Sequence, residues 1–249
     1  MVRLGVIGKP SDWLIASVYD ADIIRQVMDI ELVDIPIDEV TSLGRVGDGE
    51  EGALRIYERL KELIQKYKLS GLTLRCFDLL TTVHNTGCLA LARLNAEGIP
   101  AACESDVPAL LTMMLAKQMS GYSGFQVNAA RIEQRENNRC EILFAHCTVP
   151  LNMVDTYEYT THFESGIGVG IHGELPVGDY TLMKVSGTLD RIFAADVRLI
   201  RNQYEPNLCR TQVWIEADKE VADYLLTNPI ANHHILVPGH HAEKLTIDN

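Results

Sequence analysis

The sequence predicts a mixed α/β protein in which a Rossmann-like, doubly wound parallel sheet is followed by an antiparallel, barrel-like β part. Over the first half of the chain, short apolar runs alternate with amphipathic helical segments, as in crossover units on a parallel sheet. After about residue 122, apolar and polar residues alternate with a period of two, which indicates antiparallel strands. We therefore predict a Rossmann-like α/β domain over residues 1–122 and a β-rich barrel-like domain over residues 123–249.

The elements of the first half follow from their apolar patterns. The clearest helix is predicted over 50–68, because apolar residues recur on one stripe from Ala53 to Tyr67 and the other face is charged. A further helix is predicted over 85–98, and strands over 3–8, 31–37, 71–77 and 99–104.

The second half begins after the joint "GYSG", residues 121–124. The stretch "RENN", residues 135–138, is typical of a turn between two hairpin strands. Further alternating segments follow, interrupted by one predicted helix over 220–228 before "HHILVPG". A compact antiparallel sheet or barrel accommodates this pattern.

Composition and charge narrow the class of protein. The 249 residues include 22 basic and 34 acidic side chains, a net charge of −12, which argues against nucleic acid and anionic lipid as partners. No run approaches the roughly 18 apolar residues that span a membrane, and the N-terminus has no signal-peptide pattern. Six scattered cysteines without a CxxC pair favour reduced thiols. We expect a soluble cytoplasmic protein.

The segment "ACESDVP", residues 102–108, places two carboxylates where a buried strand is followed by a helix. Ligands of open α/β sheets sit outside the carboxyl ends of the strands, which makes Glu104 a candidate site residue. Asp106 fits the N-cap of a helix with Pro108 in its first turn. Glu104 can also be interpreted as a surface carboxylate, and the residues alone leave both interpretations open.

The segment "NHHILVPGHH", residues 232–241, carries four of the eight histidines. Adjacent strand residues point to opposite faces, so at most one of His233 and His234 can face a given site. Surface or interdomain histidines are the alternative. His146 and His172 are interpreted as hydrogen-bonded structural residues.

Two glycine-rich stretches do not indicate phosphate binding. Residues 44–52 carry three acidic side chains and are not followed by Lys-Ser or Lys-Thr. Residues 166–173 lie in the strand-rich half with no helix start behind them, so strand kinks or bulges explain them better. A nucleotide-binding α/β protein is therefore the least favoured function.

Several segments resemble the carboxy-terminal two-thirds of L-fucose isomerase-like proteins, a family related to the L-arabinose isomerases. In order, they are "LTLRCFDLL", "TGCLALARLNAEGIPAACESDVPALLTMM", "LFAHCTVP", "HFESGIGVGIHGEL" and "NHHILVPGHHAEKL". The resemblance runs from residue 3 over almost the whole chain and is most specific at "CESDVPALLTMM". It implies Rossmann-like domains followed by a β-barrel-like domain, and aldose–ketose isomerisation at a divalent metal ion, expected to be Mn²⁺.

The resemblance also assigns roles to residues. Family members hold the metal with one Glu, one Asp and one His; Glu104 matches the glutamate, and His233 matches the histidine, with His234 as the less favoured register. The aspartate position is occupied here by Asn128, whose amide brings no charge and accepts no proton. The implied catalytic residues are Glu104 and Asn128, with Glu104, Asn128 and His233 as metal ligands and His234 and Arg75 as substrate-binding residues.

The leading functional hypothesis is therefore a sugar isomerase-family protein that acts on a deoxyhexose- or pentose-type sugar and forms a homo-oligomer. The alternative is a non-catalytic carbohydrate-binding or regulatory relative that has lost the metal, which the asparagine at position 128 favours. Family members usually carry a further α/β domain before the segment that begins here with "VRLGVIG". The chain is thus expected to be part of a longer protein or a short relative.

Overall fold

The computed structural model describes residues 1–11, 14–15 and 18–245. In this part of the chain, four parallel strands form an open sheet, six antiparallel strands form a closed barrel, and two strands form a separate ribbon. The structure confirms the mixed α/β class and the closure of the antiparallel strands into a barrel.

The parallel sheet is built by the first part of the chain. Its strands are β1 Val2–Ile7, β2 Ile30–Ile35, β3 Gly71–Leu74 and β4 Ala101–Cys103, in the spatial order β2-β1-β3-β4. The helices of this part are α1 Ala21–Met28, α2 Asp38–Thr41, α3 Glu50–Tyr67, α4 Asp78–Thr82, α5 Cys88–Ala96 and α6 Val107–Ser120. The sequence pattern predicts no element where α1, α2 and α4 lie, because these helices are short.

The packing of α3 and α6 follows from their apolar residues and places the sheet relative to the barrel. α3 buries a stripe that includes Ile56, Leu60 and Leu63, as its 3.6-residue periodicity predicts. α6 is apolar on most of its surface because it lies between the sheet and the barrel. Its residues share one buried cluster with Leu4 of β1 and Ile235 of the barrel. This packing brings the carboxyl end of β4 against the barrel.

The barrel is built by the second part of the chain, in the spatial order β10-β11-β6-β5-β12-β9. Its strands are β5 Phe125–Gln134, β6 Arg139–His146, β9 Gly178–Val185, β10 Ile192–Gln203, β11 Thr211–Asp218 and β12 His234–Pro238. The hairpin predicted at 135–138 joins β5 to β6, and the predicted helix is α7 Lys219–Thr227. Alternate residues such as Phe125, Val127 and Phe144 fill the barrel interior.

The remaining strands, β7 Thr156–Thr160 and β8 Gly170–Glu174, pair as an antiparallel ribbon. The glycine-rich stretch 166–173 leads into β8. Gly168 has a φ of +68°, and a Cβ atom there would lie 2.8 Å from the backbone nitrogen of Thr86. Glycine is therefore required at this position by close backbone approach, which docks the segment before β8 onto the α/β part.

α6 ends at Ser120 and β5 begins at Phe125, on either side of the boundary predicted at 122/123. Because one apolar cluster joins the two parts across this point, their independence as domains stays a prediction. None of the helices in the described residues is both long and apolar enough to cross a membrane. The cytoplasmic location stays a prediction.

Candidate functional site

Glu104 lies in a strained turn at the carboxyl end of β4. Glu104 and Ser105 have φ values of 63° and 51°, a left-handed conformation that non-glycine residues seldom adopt. Three hydrogen bonds fix the turn. Ser105 donates from its backbone nitrogen to Leu74 O and from its hydroxyl to Ile7 O, each at 3.0 Å, and Ser11 Oγ donates to Glu104 O at 2.6 Å. The ends of β1 and β3, together with Ser11, thus fix the backbone of the turn that carries Glu104.

Asp106 is the centre of a fully buried charge network. It caps α6, as the sequence predicts, by accepting a hydrogen bond from Ala109 N at 2.7 Å. Its carboxylate also accepts from His233 Nδ1 at 2.9 Å and faces Lys184 Nζ at 3.4 Å. Burial alone raises a carboxyl pKa, but Lys184 and His233 outweigh it and hold the pKa of Asp106 well below its usual range. Burial in turn lowers the pKa of Lys184, against the attraction of Asp106.

His233 joins Asp106 to Glu104. Its Nδ1 is engaged by Asp106, and its Nε2 lies 3.5 Å from Glu104 Oε1. His233 is completely buried, and Glu104 is the ion-pair partner of its Nε2. Burial disfavours the imidazolium, yet Asp106 and then Glu104 outweigh it and raise the pKa of His233 to about 9. The predicted proximity of Glu104 and His233, 129 positions apart in the chain, is observed.

His146 and Cys103 also lie near the Glu104 carboxylate. His146, at the end of β6, shares a hydrogen bond with Thr148 through Nδ1 and turns Nε2 toward Glu104 Oε1 at 3.9 Å. Burial and the neighbouring charge of His233 lower the pKa of His146 to about 3, so the ring is neutral. One potential ligand atom from each of Cys103, Glu104 and His146 lies within 4.8 Å of the other two. The interpretation of His146 as purely structural is incomplete, because its Nε2 faces the site.

The segment that precedes β8 contributes two more ionisable groups. Burial, followed by the charge of Glu104, raises the pKa of Glu164. Burial lowers the pKa of His162, and Glu104 acts in the opposite direction. His162 Nδ1 lies 3.0 Å from Ser165 Oγ. The charge of Glu104 therefore affects the pKa of both side chains. Both lie in the segment before β8, which packs against the α/β part at Gly168. The sequence pattern did not mark them, since they lie outside any periodic element.

Asn128 lies on the barrel wall beside this cluster. In the β5–β6 ladder it pairs with Ala145, the residue before His146. Gln126, two residues earlier on the same strand face, accepts a hydrogen bond from Cys103 N at 2.8 Å through Oε1. This register places Asn128 on the strand that anchors the end of β4. Its role as a third metal ligand stays a prediction.

The side chains of His234 and Arg75 form hydrogen bonds with other residues. His234 Nε2 meets the hydroxyl of Tyr224 at 2.9 Å, and its ring contacts Phe193 edge-on, on the opposite face from His233. Arg75, after β3, donates to the carbonyl oxygens of Lys9 and Pro10. The predicted substrate-binding roles of His234 and Arg75 stay predictions.

A cavity of about 940 Å³ opens at the carboxyl ends of β1, β2 and β3. Its lining includes Lys9, Asp34, Arg75 and Asp78. Ser11, which follows the lining residue Pro10, bonds the Glu104 carbonyl. The cavity opens at the sheet edge where open α/β folds bind ligands and is large enough for a small sugar, but Glu104, His146 and His233 are not among its described lining residues.

The residues around Glu104 fit a divalent cation. One potential ligand atom from each of Cys103, Glu104 and His146 lies within 4.8 Å of the other two, and His233 Nε2 lies 3.5 Å from Glu104 Oε1. The hydrogen bonds of His233 Nδ1 to Asp106 and of His146 Nδ1 to Thr148 orient both rings, as supporting partners do for metal-binding histidines. These residues would supply the ligands, with Asn128 as a further candidate.

We expect Asn128→Asp to tighten Mn²⁺ binding about ten- to hundredfold, or about 1.4–2.7 kcal/mol, because the change adds a negative charge and a hard oxygen donor. Titration calorimetry measures this, with Asn137→Asp in the exposed β5–β6 turn as the charge-matched control. In a Glu104→Ala background the gain should disappear. A gain that survives the loss of Glu104, or no gain, would show that positions 104 and 128 do not share an ion.

With the geometry established, comparison with known proteins relates the chain to sugar isomerases. No protein-family model matches. A sulfoquinovose isomerase of Clostridium sp. (strain MSTE9) is 28% identical over 127 residues, and that of Priestia aryabhattai is 24% identical over 137 residues. A sulfoquinovose isomerase of Alkalicoccus urumqiensis is 28% identical over 139 residues. These matches cover 50–53% of this chain but only 26–30% of the relatives' length. They support a sugar isomerase relationship without pointing specifically to L-fucose isomerases.

Proposed function

We propose that this chain contributes the catalytic site of an aldose–ketose isomerase, with Glu104 as the group that transfers the proton between the sugar's C1 and C2. The observation that carries the proposal is the convergence of Cys103, His146 and His233 on the Glu104 carboxylate. The matches to sulfoquinovose isomerases support the same class of reaction. The substrate is a small sugar of deoxyhexose or pentose type.

The proposed roles follow from protonation and position. Glu104 is mostly buried, with 13% of its side chain exposed, and its carboxylate can accept the C2 proton of an aldose and return it at C1. Asp106, held ionised by Lys184, keeps His233 directed at Glu104. A bound divalent ion, for which we propose Mn²⁺, supplies polarisation of the sugar oxygens. Glu164 and His162 are the nearby candidates for moving the hydroxyl proton.

The decisive experiment follows deuterium exchange at C2 by NMR in heavy water. The protein is incubated with L-fucose, L-arabinose or sulfoquinovose and with Mn²⁺, Mg²⁺ or Zn²⁺ in turn. We expect at least one sugar to gain deuterium at C2 and to yield its ketose. If a sugar binds but no exchange occurs with any ion, the chain is the non-catalytic carbohydrate-binding relative. If no sugar binds, the proposal is wrong.

The proposed homo-oligomer rests on the family resemblance. Light scattering on purified protein tests it, because a mass of 27.7 kDa is the monomer. A uniform monomer that nevertheless exchanges deuterium would show that the site needs no second subunit.

A further inference from the structure

We infer that Cys76 and Cys103 form a redox modification site, at which hydrogen peroxide converts the two thiols into a reversible disulfide beside the Glu104 turn. Both cysteines are free thiols in this structure. The formation of the disulfide does not depend on the proposed function. Its effect on turnover rests on that function, because the turn carries the residue to which we assign the proton transfer.

The fold brings the two sulfur atoms together. β3 and β4 are neighbouring parallel strands in which Leu74 lies opposite Cys103, and Cys76 follows Leu74 by two residues. The sulfur atoms of Cys76 and Cys103 lie 2.9 Å apart. Because a disulfide bond is about 2.05 Å long, an approach of about 0.9 Å suffices to form it.

A small cavity gives an oxidant access to Cys76. The cavity has a volume of about 10 Å³, about the space that one water molecule needs. Its lining includes Cys76, Thr86, Cys88 and His162. Hydrogen peroxide exceeds water by one oxygen atom, whereas a disulfide of the size of oxidised glutathione does not fit. Cys76 is 8% exposed and Cys103 3%, so peroxide meets the Cys76 thiol first.

The disulfide forms in two steps. The sulfur of Cys76 attacks one oxygen of hydrogen peroxide and the O–O bond breaks, which gives a sulfenic acid on Cys76 and one water molecule. The sulfur of Cys103 then attacks the sulfur of Cys76, the S–O bond breaks, and a second water molecule leaves. The two thiols together lose two electrons and two protons, and the peroxide is reduced to water. A dithiol such as dithiothreitol reverses the reaction by thiol–disulfide exchange.

The new bond acts on the turn that carries Glu104. Cys103 directly precedes Glu104, whose carbonyl oxygen accepts a hydrogen bond from Ser11 and whose φ is 63°. The backbone nitrogen of Cys103 donates to Gln126 of the barrel at 2.8 Å, and a disulfide would in addition tie its side chain to the end of β3. Since a displacement of about 1 Å in an active site can cost about a hundredfold in rate, we expect oxidation to slow deuterium exchange at C2 by about 10–100-fold.

The experiment starts from purified protein freed of metal with a chelator. It is treated with hydrogen peroxide, which catalase then removes, and the product is analysed by intact mass and peptide mapping. We expect the loss of two hydrogen atoms and a cross-linked peptide pair that contains Cys76 and Cys103, both reversed by dithiothreitol. Because the bond joins residues 27 positions apart, the oxidised protein should also unfold at a higher urea concentration than the reduced protein.

Cys76→Ser and Cys76→Ala are the test variants, two in number so that a folding defect in one leaves the other. Each should form no cross-link to Cys103 and should keep its own rate of deuterium exchange after peroxide treatment. Cys140→Ser is the matched control, because Cys140 is also buried but its thiol faces the carbonyl oxygen of Ala217 in the barrel. It should form the disulfide as the wild type does.

An absence of reaction with peroxide, or a cross-link that joins other cysteines such as Cys147 and Cys209 instead, would overturn the inference. A Cys76–Cys103 disulfide that leaves deuterium exchange at the rate of the reduced protein would overturn its effect on turnover. If neither the reduced nor the oxidised protein exchanges deuterium, the proposed function fails, while mass and peptide mapping still decide whether the modification site exists.

Discussion

Replacing Asp106 by asparagine is expected to lower the free energy of unfolding by about 3–5 kcal/mol. The asparagine retains the size of the side chain and can still cap α6 through its amide oxygen. It removes the negative charge that faces Lys184 and His233, both fully buried. The positive charge of Lys184 would then lie in the interior without its counter-ion, and His233 would keep only Glu104 as an acidic partner, or these charges would be lost at a free-energy cost. Urea denaturation of the wild type and the variant measures the difference.

Asp20→Asn is the matched control for this experiment. Asp20 caps α1 by accepting hydrogen bonds from the backbone nitrogens of Asp22 and Ile23. Because asparagine caps helices about as well as aspartate, this variant should change stability by less than about 0.5 kcal/mol. The comparison isolates the buried charge from the capping hydrogen bond.

A compensating variant makes the explanation testable. Lys184→Met removes the buried cation, so Asp106→Asn combined with Lys184→Met should recover part of the loss, with a coupling energy of about 0.5–3 kcal/mol. A loss below about 1 kcal/mol for Asp106→Asn, or a double variant no better than the sum of the singles, would show that the Asp106–Lys184 pair does not organise this part of the core.

Part of the candidate site could be predicted from the sequence, namely Glu104 and the choice between His233 and His234. Glu104 could be placed because strand and helix patterns locate the carboxyl end of a parallel strand, where ligands bind. The choice between His233 and His234 follows from strand geometry and the family resemblance. In the structure, His233 faces Glu104 and His234 meets Tyr224 on the other face.

The sequence did not predict that Lys184 and His146 belong to the candidate site. Lys184 lies at the same strand face as Tyr180 and Leu182, which fill the barrel interior. A lysine on a strand face that points into the barrel indicates that it pairs with a buried carboxylate. The strand pattern alone does not identify that carboxylate as Asp106. His146 is a single histidine at the end of a strand, and only the tertiary fold brings β6 to the end of β4.

The backbone conformation at Glu104 could not be predicted from the local sequence either. Neither Glu104 nor Ser105 favours a positive φ, so local propensity predicts an ordinary turn. The left-handed conformation is imposed by hydrogen bonds from distant residues, including Ser11 and the carbonyl oxygens that end β1 and β3. Such strain depends on contacts between residues nearly a hundred positions apart and has no local signature.

Replacing Glu104 by glutamine is expected to reduce kcat/KM for the isomerised sugar by about 10²–10⁴-fold. Glutamine has nearly the same shape and faces the same backbone requirement at φ 63°, so the turn should persist. The amide cannot accept the C2 proton. Deuterium exchange at C2 should therefore fall with the rate of ketose formation, even when the divalent ion is supplied at saturating concentration and its binding is confirmed.

The control variant is Glu97→Gln. Glu97 lies after α5, at the opposite end of β4 from Glu104, and forms an ion pair with Lys61. It should leave both exchange and turnover unchanged. If Glu104→Gln loses the ion and regains full exchange once the ion is saturating, Glu104 is a ligand but not the base. Exchange at the wild-type rate with normal ion binding would remove Glu104 from the chemistry altogether. Loss of exchange with the ion bound is the result expected of a residue that carries the proton itself.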